Sequence, residues 1–155
     1  MISIPLLAVC LLPLADEPTP LFDGVSLSGW SGNPETWWVE DGMIVGASRA
    51  EAPLPHNEYL FWDGVASDFV LELDIRLLGG NSGIQYRSRR RGQHDVEGYQ
   101  ADLDADNTYT GILYETAGRG IMSRRGEKRA YLFQDNHRDL GTIPGTEDPP
   151  IQPHE

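Results

Sequence analysis

The stretch Phe69–Ser88, FVLELDIRLLGGNSGIQYRS, decides how the chain folds. Phe69, Leu71, Leu73, Ile75 and Leu77 fall at every second position, with Glu72, Asp74 and Arg76 between them. An extended strand sends alternate residues to opposite faces, whereas a helix would need apolar residues three and four apart. Gly79-Gly80-Asn81 then turns the chain, because these residues accept backbone angles that bulkier ones resist. From Ser82 to Ser88 the alternation resumes, with Ile84 and Tyr86 set against Gln85 and Arg87. Alternating runs joined by a turn are the unit of an antiparallel sheet.

The pattern extends both ways. Trp37-Trp38-Val39-Glu40, Asp41-Gly42 and Met43-Ile44-Val45 read strand, turn, strand, since Asp-Gly tolerates the positive φ of a tight hairpin. Gly98–Asp104 places Tyr99, Ala101 and Leu103 on one face and Gln100, Asp102 and Asp104 on the other. Residues 105–108 turn, and Thr110–Glu115 forms the next strand. Nothing has helical period and no internal repeat is visible. Short strands with one apolar and one polar face predict an all-β, antiparallel β-sandwich.

Composition bounds the rest. The chain has 155 residues, and an apolar leader at 1–15 leaves enough for one domain and too few for two. Twelve Lys and Arg against 24 acids, a net charge of −12, argue against nucleic acid and anionic membrane surfaces as partners. Gly 17 and Pro 11 exclude a helical bundle, and 39% hydrophobic residues with four Trp exclude a disordered chain. Ile2–Leu14 is uncharged, too short to span a bilayer, and ends at Ala15, as a signal peptide's apolar core would. The sole cysteine, Cys10, lies in that leader, so no intrachain disulfide forms; its lipidation would be the one route to a membrane. The expectation is an exported, periplasmic or extracellular protein with a β-sandwich domain at 16–138. Residues 139–155, DLGTIPGTEDPPIQPHE, hold four Pro and predict a disordered tail.

Candidate chemistry lies on the polar faces. If the strands are neighbours, Gln85, Arg87, Gln100, Asp102, Asp104 and Glu115 project toward one groove. Amides, guanidinium and carboxylates interleaved with Tyr and Trp suit sugars, which offer hydroxyls and apolar C–H faces. Two carboxylates on one groove also suit general acid and base work. Nine of the twelve basic residues fall between Arg87 and Arg129, and all but Lys128 are Arg. Arg89-Arg90-Arg91 reads either as a solvated loop or as part of an arginine ring around a cleft. Asp102-Leu103-Asp104-Ala105-Asp106-Asn107 opens like a calcium loop, but Gly is missing at the sixth place and Leu113 stands where Glu is needed. That excludes an EF-hand and leaves a different divalent cation site at Asp102 or Asp104 beside the plainer reading, an acidic turn. His56, His94, His137 and His154 lack metal-ligand spacing. His94, next to the arginine cluster, is a rim position for proton transfer or a solvated loop residue.

A family resemblance emerges from ordered motifs. Leu21-Phe22-Asp23-Gly24 with Leu27-Ser28-Gly29-Trp30 resembles the "LFDG…L.GW" opening of the 3-keto-disaccharide hydrolase domain. Trp38–Gly46 is similar to its "W.VEDG.I.G" hairpin, and Asp68-Phe69 with Gly80–Arg87 to its "DF.L…GNSGI..R" core. Gly98–Asp102 resembles its "GYQ.D" strand and Thr110–Tyr114 its "TG.LY" strand. The resemblance implies a concanavalin-A-like jelly-roll sandwich and an exported bacterial enzyme with 3-keto-glucoside 1,2-lyase and 3-keto-2-hydroxyglucal hydratase chemistry. Its substrate would be an oxidised, 3-keto disaccharide or glycoside. Family members continue with further strands, so the sandwich here is expected to be incomplete after about Gln134.

The implied reaction follows from the ketone. A C3 carbonyl acidifies C2–H, a base removes that proton, and the C1 oxygen leaves by β-elimination; water then adds back. The enolate oxygen needs a cation, an Arg or a divalent metal. Strand-face alternation nominates Arg87 for that role, Asp102 and Glu115 as base and acid, and Gln85 and Gln100 as positioners. Tyr99, Asn81 and Arg119 complete the expected substrate contacts. A non-catalytic, lectin-like carbohydrate-binding module on the same sandwich is the alternative, and an inactive fragment the third reading.

Overall fold

A computed structural model describes residues 18–49, 51–92, 95–133 and 136–144. Ten strands follow one another: β1 (Trp30–Ser31), β2 (Trp37–Glu40), β3 (Met43–Gly46), β4 (Phe61–Trp62), β5 (Asn81–Arg91), β6 (Asp95–Asp104), β7 (Leu113–Thr116), β8 (Gly120–Ser123), β9 (Glu127–Phe133) and β10 (Asn136–Thr142). Strands β5 to β8 form one four-stranded sheet in chain order, and β1–β4, β2–β3 and β9–β10 form two-stranded ribbons. Every ladder is antiparallel and no helix occurs among the described residues, so the all-β class read from the alternation holds.

Local chemistry explains the N-terminal part. Asp41 and Gly42 stand at φ 50° and 75°, the left-handed pair that an Asp-Gly hairpin turn requires. This sets Trp38 opposite Val45 and Val39 opposite Ile44. In the opening motif, Asp23 accepts hydrogen bonds from the backbone N–H groups of Val25 (2.8 Å) and Ser26 (2.7 Å). These N–H groups, foremost that of Ser26, hold the Asp23 carboxyl below the usual range. Trp30 Nε1 donates to Leu21 O at 2.8 Å, which ties the two halves of the motif together.

The four-stranded sheet carries the core. Among the described residues the buried apolar ones are Val96, Ile112 and Met122, on the sheet or at its edge, with Asp102 buried among the polar ones. At one end Arg90 reaches from β5 to the β1–β4 ribbon. Its guanidinium lies 3.7 Å from the centroid of Phe61 and donates to Ser31 Oγ.

Two expectations are corrected. Phe69–Leu77, the most regular alternation in the sequence, joins no ladder among the described residues. Its apolar side instead borders the sheet, with Phe69, Leu71, Leu73 and Ile75 between 41 and 51% exposed. Alternation reports which side chains want burial, but a ladder also needs a neighbour's N–H and C=O groups. Second, the chain does not become a tail at Asp139. Asp139 pairs with Arg129 and Thr142 with Glu127, so β9 supplies the hydrogen bonds that the Gly- and Pro-rich composition hid. Two strands that the alternation did not mark, β8 and β9, follow Glu115, where charged residues such as Glu127, Lys128 and Arg129 obscure the pattern. The leader at 1–15 with Cys10, and also His94, His154 and residues 145–155, lie outside the described residues.

Candidate functional site

The register of β5, β6 and β7 sorts the candidate residues, because directly opposed residues of an antiparallel pair share a face. Tyr86, Tyr99 and Glu115 stand in one cross-strand row, and Ile84, Ala101 and Leu113 in the next. Gln85, Gln100 and Tyr114 form a row on the opposite side, with Gly83 opposite Asp102 and Asn81 opposite Asp104. The sheet thus has a tyrosine face and a glutamine face. Asp102 and Glu115, expected on one groove, lie on opposite faces, because Glu115 shares the parity of Tyr99.

Arg87 would follow Gln85 onto the glutamine face if β5 were regular. It does not. Tyr86 opposes Tyr99 and Arg89 opposes Glu97, so Arg87 and Ser88 together face Gly98 in a β-bulge. Arg87 adopts φ 47° there. Gly98 is required at this point, since a Cβ on it would lie 2.2 Å from Ser88 Oγ and 2.5 Å from Ser88 Cα. The inserted residue carries Arg87 to the tyrosine face, where its Nη2 lies 3.5 Å from Asp68 Oδ1.

Two hollows meet at Arg87. A cleft of about 380 Å³ is lined by Arg87, Arg89, Glu97, Tyr99 and Glu115. A groove of about 520 Å³ is lined by Phe69, Leu71, Leu73, Ile84, Tyr86 and Arg87, among others. The rings of Tyr86 and Tyr99 stand 6.0 Å apart, tilted by 44°. One face therefore combines a charged cleft, an aromatic pair and an apolar groove.

Arg119 organises the cleft's edge. The turn after β7 folds back so that Arg119 N donates to Glu115 Oε2 at 2.9 Å, and Nη2 to Oε1 at 3.1 Å. Arg119 Nε also donates to Oε2, completing a two-pronged ion pair. Its side-chain hydrogen bonds, more than its charge at a distance, hold the Glu115 carboxyl below the usual carboxylate range; Glu115 in turn raises the Arg119 pKa. Arg119 Nη2 also lies 3.4 Å from Tyr99 Oη, and its guanidinium is 4.7 Å from the Tyr131 ring centroid. Burial pushes the Tyr86 phenol up.

On the glutamine face the polar side chains bond to one another. Gln100 Nε2 donates to Asp102 Oδ1 at 2.7 Å, and Gln85 Nε2 donates to Gln100 Oε1 at 2.7 Å and to Thr116 Oγ1 at 2.7 Å. Ser88 Oγ donates to Gln85 Oε1 at 2.9 Å. Asp102 is 7% exposed, far too little for a freely reached base. Asp104 caps the loop that follows it, accepting from Thr108 N at 2.9 Å. Asn81 opens β5 at the sheet's far end from the cleft. Among the described residues no group of three or more His, Cys, Asp or Glu is placed to hold a metal ion.

The structure thus gathers Arg87, Tyr99, Glu115 and Arg119, and separates them from Gln85, Gln100, Asp102 and Asn81. Arg89-Arg90-Arg91 is the end of β5 rather than a loop: Arg89 and Arg91 pair with Glu97, and Arg91 also approaches Asp95. Glu97, Asp68 and Ser88 were missed. Glu97 had a signal, since Arg89 and Arg91 mirror Glu97 and Asp95 across Gly92–His94, as cross-strand pairs of a hairpin do.

The sequence profile of the 3-keto-alpha-glucoside-1,2-lyase-like domain matches residues 17–145. No curated protein and no solved structure matches the chain.

Proposed function

The chain belongs to the 3-keto-alpha-glucoside-1,2-lyase-like family, and from that premise we propose that the tyrosine face eliminates the C1 substituent of a 3-keto-glycoside. The observation that carries this is that Arg87, Tyr99 and Glu115 line one cleft. Glu115, kept ionised by Arg119, takes the C2 proton through the free lone pair of Oε1. The electron pair left on C2 delocalises onto the C3 oxygen, which Arg87 faces as a cation. The C1–O bond then breaks, C1=C2 forms and the C3 ketone returns. Tyr99 accepts from Arg119 and so has its own proton to give to the departing oxygen. Water adding across C1=C2 completes net hydrolysis. The Tyr86–Tyr99 pair supplies the apolar surface on which a sugar ring packs.

The test separates elimination from ordinary glycoside hydrolysis, which needs no ketone. A 3-keto-glucoside is cleaved, its unoxidised parent is not, and product formed in heavy water carries deuterium at C2. Arg87→Ala lowers kcat by about 10²–10³, the range for one oxyanion donor. Equal cleavage of both sugars refutes elimination. Binding of both with cleavage of neither makes the face a carbohydrate-binding surface.

A further inference from the structure

The hydrogen bonds of the glutamine face, part-buried at Asp102, Gln100 and Gln85 and exposed at Ser88, have a direction, and the buried Asp102 sets it. A carboxylate only accepts, so it draws the NH2 end of Gln100 toward itself. The Gln100 carbonyl then faces Gln85 and accepts from its NH2 end. That leaves the Gln85 carbonyl to face Ser88, whose hydroxyl donates to it. Ser88 has one proton and a competing acceptor, since its Oγ also lies 2.9 Å from Tyr86 O. The carboxylate three residues down the line decides which acceptor receives it.

Ser88 is the second residue of the bulge, and its neighbour there is Arg87. With Ser88 Oγ held on the glutamine face and the space beneath it cleared by Gly98, the chain between Tyr86 and Arg89 stays bulged. Arg87 keeps φ 47°, a conformation that a non-glycine residue adopts only where its surroundings impose it. We propose that Asp102 is a positioning residue: through Gln100, Gln85 and Ser88 it holds the bulge that delivers Arg87 to the cleft on the other face of the sheet. Its effect on turnover rests on the elimination chemistry proposed above; its effect on the bulge does not.

Asp102→Asn removes the acceptor-only terminus, because an amide can point either end at Gln100. Ser88→Ala removes the last link, Ser88→Thr restores the hydroxyl, and Gln85→Glu keeps the size but cannot donate to Gln100 or Thr116. Kinetics are measured on a 3-keto-glucoside in the full chain, with and without Arg87→Ala, and the Arg87 backbone and guanidinium NMR signals are followed without substrate. Asp102→Asn and Ser88→Ala each lower kcat roughly 10- to 100-fold with KM little changed, the scale of a displaced catalytic group. Neither lowers it further once Arg87 is gone, both move the Arg87 signals, and Ser88→Thr recovers rate and signals together. The proposal falls if Asp102→Asn costs as much in the Arg87→Ala background as in the native protein, or if the Arg87 signals stay still in Asp102→Asn, Ser88→Ala and Gln85→Glu alike. If the native protein cleaves no 3-keto-glycoside while those signals move with the variants, the relay stands and the chemistry assigned to the cleft falls.

Discussion

Replacing Arg119 by Met separates an ion pair that matters from those that do not. The change deletes two side-chain hydrogen bonds to the Glu115 carboxylate, a longer contact to Tyr99 Oη, and the guanidinium beside Tyr131. It leaves the backbone bond from residue 119 to Glu115 in place. The Glu115 and Arg119 side chains are 20 and 24% exposed, so water replaces the lost partner poorly. A charged hydrogen bond is worth about 1.5–3 kcal/mol, and the cation beside the ring adds about 0.5–1. Met retains apolar contact with Tyr131, so the net cost is about 2–3 kcal/mol at neutral pH. Arg89→Met breaks a pair with Glu97 that is geometrically as close, yet its side chains are 79 and 35% exposed; about 1 kcal/mol or less is expected. The pH sign follows from Glu115. Its folded pKa is depressed, so its stabilisation is fully present above the ordinary carboxylate range and is lost as pH falls through the folded value. Urea unfolding of the native protein and both variants, at neutral pH and well into acid, checks this. The Arg119→Met deficit should exceed that of Arg89→Met at neutral pH and shrink in acid. Equal deficits for the two variants, or a gap independent of pH, would refute the reasoning.

Gly83→Ala should cost about 1–3 kcal/mol by thermal or urea unfolding, because the new Cβ would lie 2.6 Å from Gln100 Cγ and 2.8 Å from Ala101 O. Gly79→Ala, which meets nothing within 4 Å, should be neutral or gain up to about 1 kcal/mol in the same assay. Leu71→Gln with Leu73→Gln should lower the binding of an apolar fluorescent dye and cost at most about 1 kcal/mol per site, since both side chains are already 41 and 51% exposed. Dye binding that survives the double change would place the accessible apolar surface elsewhere.

The legible parts of this fold were those where local chemistry suffices. Asp41-Gly42 dictates its own turn, and the alternations at Ser82–Ser88 and Gly98–Asp104 became the long hairpin of β5 and β6. Phe69–Leu77 shows the limit: its side chains have strand parity, but parity says nothing about which backbone, if any, offers a ladder. The region after Glu115 shows the opposite case. Tyr131 stacks against His137 across β9 and β10, and the ladder forms despite a sequence rich in charge and Gly.

The expectation of a single groove breaks on one inserted residue and one phase. Counting by twos from Gln85 assigns Arg87 to the glutamine face, and that count is valid only while each residue of β5 opposes one residue of β6. The bulge at Arg87–Ser88 breaks the count, and everything after it changes side: Arg89 and Arg91 join Tyr86 and Tyr99, while Arg90 turns toward Phe61. The signal for this break was Gly98 opposite a small Ser88, a pair that leaves room for an extra residue, but a glycine in a strand has other causes. Glu115 was misassigned for a different reason, since its face depends on the pairing of β7 with β6 and not on its own strand's pattern. A bulge therefore does more than bend this sheet. It lets a polar row on the glutamine face, with its carboxylate out of solvent, determine where a cation stands on the tyrosine face. That coupling is invisible to any reading that treats the two faces of a strand as independent.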